Sequence, residues 1–222
     1  MDQLIKHSPF DREYFEFGAV TGVSGYTNYR WMPELTLRMA YHLVRQLPIE
    51  AGQCILDFGC AKGYLVKALR IFDFEAYGAD ISSYAIDNCD SEVRDFCRRI
   101  EGVGDVALFP ERYNWIIAKD VLEHVPENDL RLFLRLAALN ADNLFVVVPL
   151  AADDECGHYI VPDYDQDTTH VIAKSLDWWA NLLETSGWNV NLKTTHIAGC
   201  KENWRLRWPD GNGFFRASSG KR

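Results

Sequence analysis

The sequence predicts an α/β fold in which a mostly parallel sheet is covered by helices on both faces and closes with an antiparallel pair. Three observations predict it. From Cys54 to Leu150, short apolar runs alternate with amphipathic helical ones, the pattern of a parallel sheet with helices on each side. The run NLFVVVPL is continuously apolar, as a strand buried on both faces must be. Late in the chain, WNVNLKTTHIAGC and NWRLRW read as strands joined by only a few residues, which allows an antiparallel connection but not a parallel crossover.

The elements follow in order. Residues 33–47, PELTLRMAYHLVRQL, carry Leu37, Ala40, Tyr41, Val44 and Leu47 on one face behind Pro33, an amphipathic helix with a suitable first residue. CILDF is a buried strand, YLVKALRIF a helix, EAYGAD a strand and SYAIDNC a short helix. A weaker segment, VRDFCRRIEGVGDVALF, precedes the strand NWIIAKDV and the helix PENDLRLFLRLAAL, which opens on Pro-Glu. SLDWWANLLETSG is a helix capped by Ser175 and ended by Gly187. Upstream, FGAVTGVSGYTNYRWM is rich in glycine and aromatics; residues 1–32 are expected to form an arm or lid, and 33–222 the main domain.

Composition narrows the classes. The 222 residues are 48% hydrophobic and 25% charged, which suits one globular domain. No apolar run approaches the ~20 residues of a membrane span, and the charged N-terminus lacks the apolar centre of a signal peptide, so a cytoplasmic protein is expected. The cysteines at 54, 60, 89, 97, 156 and 200 contain no C-x-x-C pair and are read as reduced thiols rather than a zinc site. A net charge of −9 disfavours a general affinity for nucleic acid. Residues 150–170 hold six acids and no Lys or Arg, whereas 200–222 hold six bases and two acids. An acidic loop and a basic tail are the plain reading of that asymmetry.

The informative stretch is D-F-G-C-A-K-G, residues 57–63. It follows the first strand, at the carboxyl edge where open parallel sheets bind ligands. Its spacing differs from the G-x-G-x-x-G of dinucleotide sites, which disfavours a nicotinamide-dependent oxidoreductase. Asp57, two residues before the first glycine, would repel a pyrophosphate and suits a ligand that bears a cation.

At these residues the chain resembles the class I S-adenosylmethionine-dependent methyltransferases, whose first motif is D/E-x-G-x-G-x-G. Asp57, Gly59 and Gly63 match, and Ala61 stands at the middle glycine. AKDVLEHV, residues 118–125, resembles the family's segment after the fourth strand. The resemblance implies a Rossmann-like sheet of seven strands and S-adenosylmethionine as cofactor, leaving as S-adenosylhomocysteine. It implies cofactor contacts from Asp57, Gly59, Cys60 and Gly63. Asp80 and Ile81 would meet the ribose, with Asp80 otherwise a helix cap. Asp105 and Val106 would stand by the adenine, with Lys119 and Arg30 completing the set. Independently of the family, the ligand's amino group, ribose hydroxyls and exocyclic amine are donors, and three aspartates at successive strand ends are acceptors. Lys62 reads as a surface charge on the loop.

Methyl transfer needs alignment and dryness more than bond polarisation, and a hydroxyl acceptor also needs a base. His170, with Asp167 three residues before it to orient the imidazole, is the first candidate; His124 is the second, and either could simply pack. Tyr26, Tyr29, Trp31 and His158 are expected to face a polar acceptor, although arm packing and solvation are equally good accounts of them. Asp120 with Asp153 or Asp154 offers a magnesium site that is possible but not favoured, so no metal ligand is assigned. The expected function is methylation of a small-molecule or carbohydrate-like acceptor, at oxygen. The alternatives are an RNA or protein methyltransferase, supported by Arg205, Arg207, Arg216, Lys221 and Arg222, and a non-catalytic protein that binds the cofactor.

Overall fold

A computed structural model describes residues 8–220. The arm forms two short helices, α1 (Arg12–Glu16) and α2 (Gly18–Thr21), followed by α3 (Pro33–Gln46). Asp11 caps α1 by accepting the amides of Glu13 and Tyr14, and Pro33 opens α3 as expected. Then come β1 (Cys54–Phe58), α4 (Tyr64–Ile71), β2 (Glu75–Asp80), α5 (Ser83–Asp87) and β3 (Cys97–Arg99). The second half contributes β4 (Tyr113–Lys119), α6 (Glu127–Asn140), β5 (Ala141–Pro149), α7 (Leu176–Thr185), β6 (Trp188–Thr194), α8 (Glu202–Arg207) and β7 (Asn212–Ser219). No helix among the described residues is long and apolar enough to cross a membrane.

The seven strands run in the order β3-β2-β1-β4-β5-β7-β6. All neighbours as far as β5 pair in parallel, and β7 pairs antiparallel with both β5 and β6. The order reverses between β1 and β4, which opens a crevice beyond their carboxyl ends. Alternation along each strand sends its side chains to two cores. Leu56, Ile116 and Leu144 pack with Phe133, Trp179 and Leu183 from α6 and α7, while Ile55, Ile117 and Phe145 pack with Leu43, Val66 and Leu69 from α3 and α4.

Two expectations are corrected. NWRLRW is not a strand: residues 202–207 form α8, and the last strand is NGFFRASS, residues 212–219. Trp204 and Trp208 stack on one flank of α8 at 5.7 Å, and the buried Phe214 and Phe215 make the better inner strand. The basic tail is solvated only in part: Arg205 and Arg207 are exposed on α8, whereas Arg216 lies within β7 between two strands. Lys221 and Arg222 fall outside the described residues.

Candidate active site

The turn after β1 is built by close approach. Gly59 has φ +79°, and a Cβ there would lie 2.4 Å from Val121 Cγ2, so the turn is pressed against the segment that follows β4. Ala61, in the position of the usual middle glycine, also adopts a left-handed φ of +48°. Its amide donates to Asp80 Oδ2 at 2.8 Å, and the amide of Ser82 donates to Asp80 Oδ1 at 2.7 Å. The two bonds aim the carboxylate of Asp80 while leaving further lone pairs free.

Asp57 is buried, at 4% exposure, and its carboxylate accepts no hydrogen bond among the described residues. Burial pushes its pKa up to about 7, against the opposing charge of Lys119 and with a small push from Asp80. An unpartnered carboxylate in such a place is costly unless a donor arrives. That is the condition a cationic amino group would relieve.

Two cavities open at the carboxyl edge. One, of about 350 Å³, is lined by Gly59, Asp80, Ile81, Gly102, Val103 and Val121, with Phe10, Phe15 and Tyr29 of the arm. The other, of about 660 Å³, lies against Asp163, Tyr164, Asp167, His170, Lys201 and Trp204. Tyr14, Tyr26, Lys119, Asp120 and His124 line both. The lining of the smaller cavity (a pinned carboxylate that accepts, the apolar Ile81 and the Gly102–Val103 backbone) fits an adenosine whose ribose hydroxyls would donate to Asp80.

Other expected residues stand elsewhere. Asp105 caps a turn of 3₁₀ helix by accepting the amides of Glu101 and Ala107, and Val106 is 89% exposed; neither lines the cavity, where Gly102 and Val103 stand instead. Cys60 and Gly63 also lie behind the lining. Cys60 packs under Gly78 of β2, where a Cβ would come within 2.6 Å of its sulfur, and Gly63 caps α4 against Cys89 and Cys97. Arg30 is exposed, and its one side-chain hydrogen bond among the described residues goes to the carbonyl of Asn28, at 3.5 Å. Trp31 packs on Tyr64 and Lys67 rather than on the site. His158 is exposed and sits 3.6 Å from Asp165. Tyr26 lines both cavities, whereas Tyr29 lines the smaller one and not the larger.

Lys62 is a correction of the opposite kind. It is buried, not on the surface; its Nζ donates to Glu16 Oε1 at 2.5 Å and to the carbonyl of Tyr29 at 2.9 Å. The loop thereby holds the arm.

At the wall between the cavities, Asp120 accepts from Lys119 Nζ at 2.5 Å and lies 2.6 Å from Lys201 Nζ. Burial would raise its pKa, but Lys119 and Lys201 hold it well below the usual carboxylate range. Lys119 is therefore half of an ion pair as well as a lining residue. Asp153 accepts the amides of Glu155 and Cys156, and Asp154 that of Ser175, in an exposed loop. Among the described residues these three acids form no ligand cluster; lysines neutralise the first, and backbone amides occupy the others.

The histidines are arranged otherwise than expected. His170 Nε2 is 4.0 Å from Asp167 Oδ2, which is no hydrogen bond. Instead its Nδ1–H donates to the carbonyl of Tyr164 at 2.8 Å. Asp167 serves His124: Thr169 Oγ1 donates to Asp167 Oδ1 at 2.5 Å and accepts from His124 Nδ1–H at 2.8 Å. The hydroxyl of Tyr14 donates to Asp167 Oδ2 at 2.9 Å. Burial lowers both imidazole pKa values; His170 adds to the effect at His124, and Asp167 opposes it at His170. The two rings lie 4.6 Å apart.

Sequence reasoning passed over Tyr14, Glu123 and Lys201. Glu123 was legible within LEHV, while Tyr14 and Lys201 reach the site from the two ends of the chain and have no local signal.

A family model described as a methyltransferase domain matches residues 28–193. No curated protein matches the sequence. Among solved structures, the fold is similar to a chain of the complex between the Haloferax volcanii Trm112 methyltransferase activator and a methyltransferase, with TM-score 0.64, 15% identity, and 86% of this chain and 92% of that one covered. The CcbJ methyltransferase from Streptomyces caelestis aligns with TM-score 0.63 at 10% identity, covering 86% and 91%. Magnesium protoporphyrin IX methyltransferase from Synechocystis PCC 6803, solved with S-adenosylmethionine bound, aligns with TM-score 0.53 at 16% identity, covering 82% and 76%. With its first-motif turn, its seven-stranded sheet and a family match over most of its length, the chain belongs to the class I S-adenosylmethionine-dependent methyltransferases.

Proposed function

We propose that the chain methylates a small-molecule or carbohydrate-like acceptor at oxygen. The observation that carries this reading is the pair of cavities with a shared wall at Tyr14, Tyr26, Lys119, Asp120 and His124. The smaller suits the cofactor and the larger a polar acceptor, so two ligands would meet at that wall. Its polar side chains and the aromatic faces of Tyr164 and Trp204 suit a hydroxyl-rich molecule. Activity on a cytoplasmic metabolite accords with six cysteines that are all free thiols.

When bound, S-adenosylmethionine supplies a methyl group already activated on a sulfonium. The chain's part is to hold, align and keep dry. Asp80 would accept from the ribose hydroxyls and the Gly102–Val103 backbone would border the base, while Asp57, buried behind the lining at Gly59, would supply negative charge for the amino group. Phe10, Tyr26 and Tyr29 exclude water, and alignment of this kind is worth ~7–11 kcal/mol of barrier. His170 and His124, each neutral with Nδ1 engaged, keep Nε2 as the nitrogen able to take the acceptor's proton. A positioned base contributes roughly 10²–10⁴-fold.

The test is a labelled-methyl screen of metabolite fractions and sugar nucleotides, with S-adenosylhomocysteine release as the readout. His170→Asn should lower turnover and leave cofactor affinity unchanged; unchanged turnover removes His170 from this role. Cofactor binding without product from any acceptor pool would point to a non-catalytic protein. Strong RNA retention at physiological salt would point to a nucleic-acid acceptor.

A further inference from the structure

We propose that Glu123, His124 and His170 form a binding site for one divalent first-row transition-metal ion on the wall of the larger cavity. One ligating atom from each of the three lies within 4.8 Å of the other two. All three line the cavity, so an ion has a route in, and three protein ligands leave coordination positions open.

Two further observations point to a ligand. Glu123 is only 1% exposed, and its Oε2 has no hydrogen-bond partner among the described residues. Buried carboxylate oxygens are ordinarily satisfied, and the carboxylate that carries this one lies in a cluster with both imidazoles. The second is the outer arrangement of the histidines. Each commits Nδ1–H to an oxygen acceptor, His170 to the carbonyl of Tyr164 and His124 to Thr169, which is itself tied to Asp167. Metal-ligating histidines are characteristically held in this way, with the second nitrogen fixed by a carbonyl or carboxylate chain and the first left as ligand. The scaffold is firm, because the carbonyl of Glu123 accepts the amides of Val171 and Ile172 at 2.9 and 3.2 Å and locks the two segments together.

Nearby charge permits a cation. Lys119 and Lys201 share Asp120, which leaves one net positive charge, and Asp167 stands opposite it. Two imidazoles and one carboxylate select manganese, iron, cobalt or zinc over magnesium, which prefers oxygen ligands alone. With an ion bound, Nε2 of each histidine is a ligand and no longer takes a proton; a hydroxyl held on the ion would instead be acidified and lose its proton to water in the larger cavity. That use rests on the function proposed above; the capacity to bind an ion does not.

The test uses the full chain, stripped with a chelator and titrated with Mn²⁺ under electron paramagnetic resonance and with Co²⁺ under visible absorption. One ion per chain is expected, with excess Mg²⁺ failing to displace it. Glu123→Gln and His170→Ala should each abolish saturable binding. Thr169→Val, which removes only the outer hydroxyl, should weaken it 10–100-fold and guards against variants that fail to fold. No saturable binding, or binding indifferent to all three substitutions, overturns the site. Metal binding without methyl transfer would sink the function and leave the site standing; transfer by metal-free enzyme with no saturable binding would do the reverse.

Discussion

Lys62 of the first-motif turn donates to both Glu16 Oε1 and the carbonyl of Tyr29, at 2.5 and 2.9 Å, so the loop expected to hold the cofactor also clamps the arm. Glu16 further accepts from Tyr84 at 3.0 Å, which extends the clamp to α5. The lysine is 9% and the glutamate 16% exposed at their side chains. Breaking such a pair from one side leaves a poorly solvated charge.

Lys62→Met should therefore loosen the arm and destabilise the fold by about 3 kcal/mol, whereas the Glu16→Gln, Lys62→Met double variant should recover part of the loss. Hydrogen exchange at residues 12–29 and denaturant midpoints measure the two effects. An arm as protected in Lys62→Met as in the parent would refute the clamp.

Gly59→Ala combines a left-handed backbone with a Cβ placed 2.4 Å from Val121 Cγ2. A loss of about 1–3 kcal/mol is expected, together with weaker cofactor binding. Adding Val121→Ala should relieve the clash but not the backbone strain. Thermal melts of the single and double variants separate the two causes; full recovery in the double variant would exclude strain.

Asp80→Asn and Asp57→Asn should each weaken S-adenosylmethionine binding by roughly 10–150-fold, the range for a hydrogen bond to a charged group of about 1.5–3 kcal/mol. Asp105→Asn should leave affinity unchanged, because Asp105 only caps a turn. Calorimetry on the three variants decides the matter, and an effect at Asp105 equal to that at Asp80 would move the adenine site.

The raised pKa of Asp57, about 7 against an ordinary 3.8, links stability and binding to pH. Between these values the folded chain holds a proton that the unfolded chain has released, so the contribution is largest below about pH 4 and is lost as pH rises through 7. A cation arriving beside Asp57 would favour the ionised form. Cofactor binding near pH 6 should then release up to one proton, which calorimetry in buffers of different ionisation enthalpy detects. Asp57→Asn should abolish the release, and an unchanged release would assign it to another group.

Much of the site's frame was legible because it is local. Asp57, Gly59 and Asp80 lie at strand ends within 24 residues, and strand alternation plus a glycine turn puts them on one edge. Ser175 was legible as a cap for the same reason; its Oγ accepts the amide of Trp178 at 3.2 Å. The last strand was misplaced because NWRLRW has strand-like residues, and only packing against β5 and β6 selects NGFFRASS for the inner position. Asp167 was read as the partner of His170 from a spacing of three, but the intervening Thr169 takes its carboxylate for His124.

By itself the sequence determined the doubly covered sheet, the turn at residues 57–63 and the aspartates at the first two strand ends, since each depends on periodicity or on backbone needs within a few residues. The tertiary structure alone decided that Lys62 is buried, that Tyr14 and Lys201 line one cavity, and that Glu123, with one carboxylate oxygen unpartnered among the described residues, clusters with two histidines. Those outcomes arise from segments up to 187 residues apart, as Tyr14 and Lys201 are. Side-chain charge and burial in such places are properties of the assembled neighbours, which no local pattern encodes.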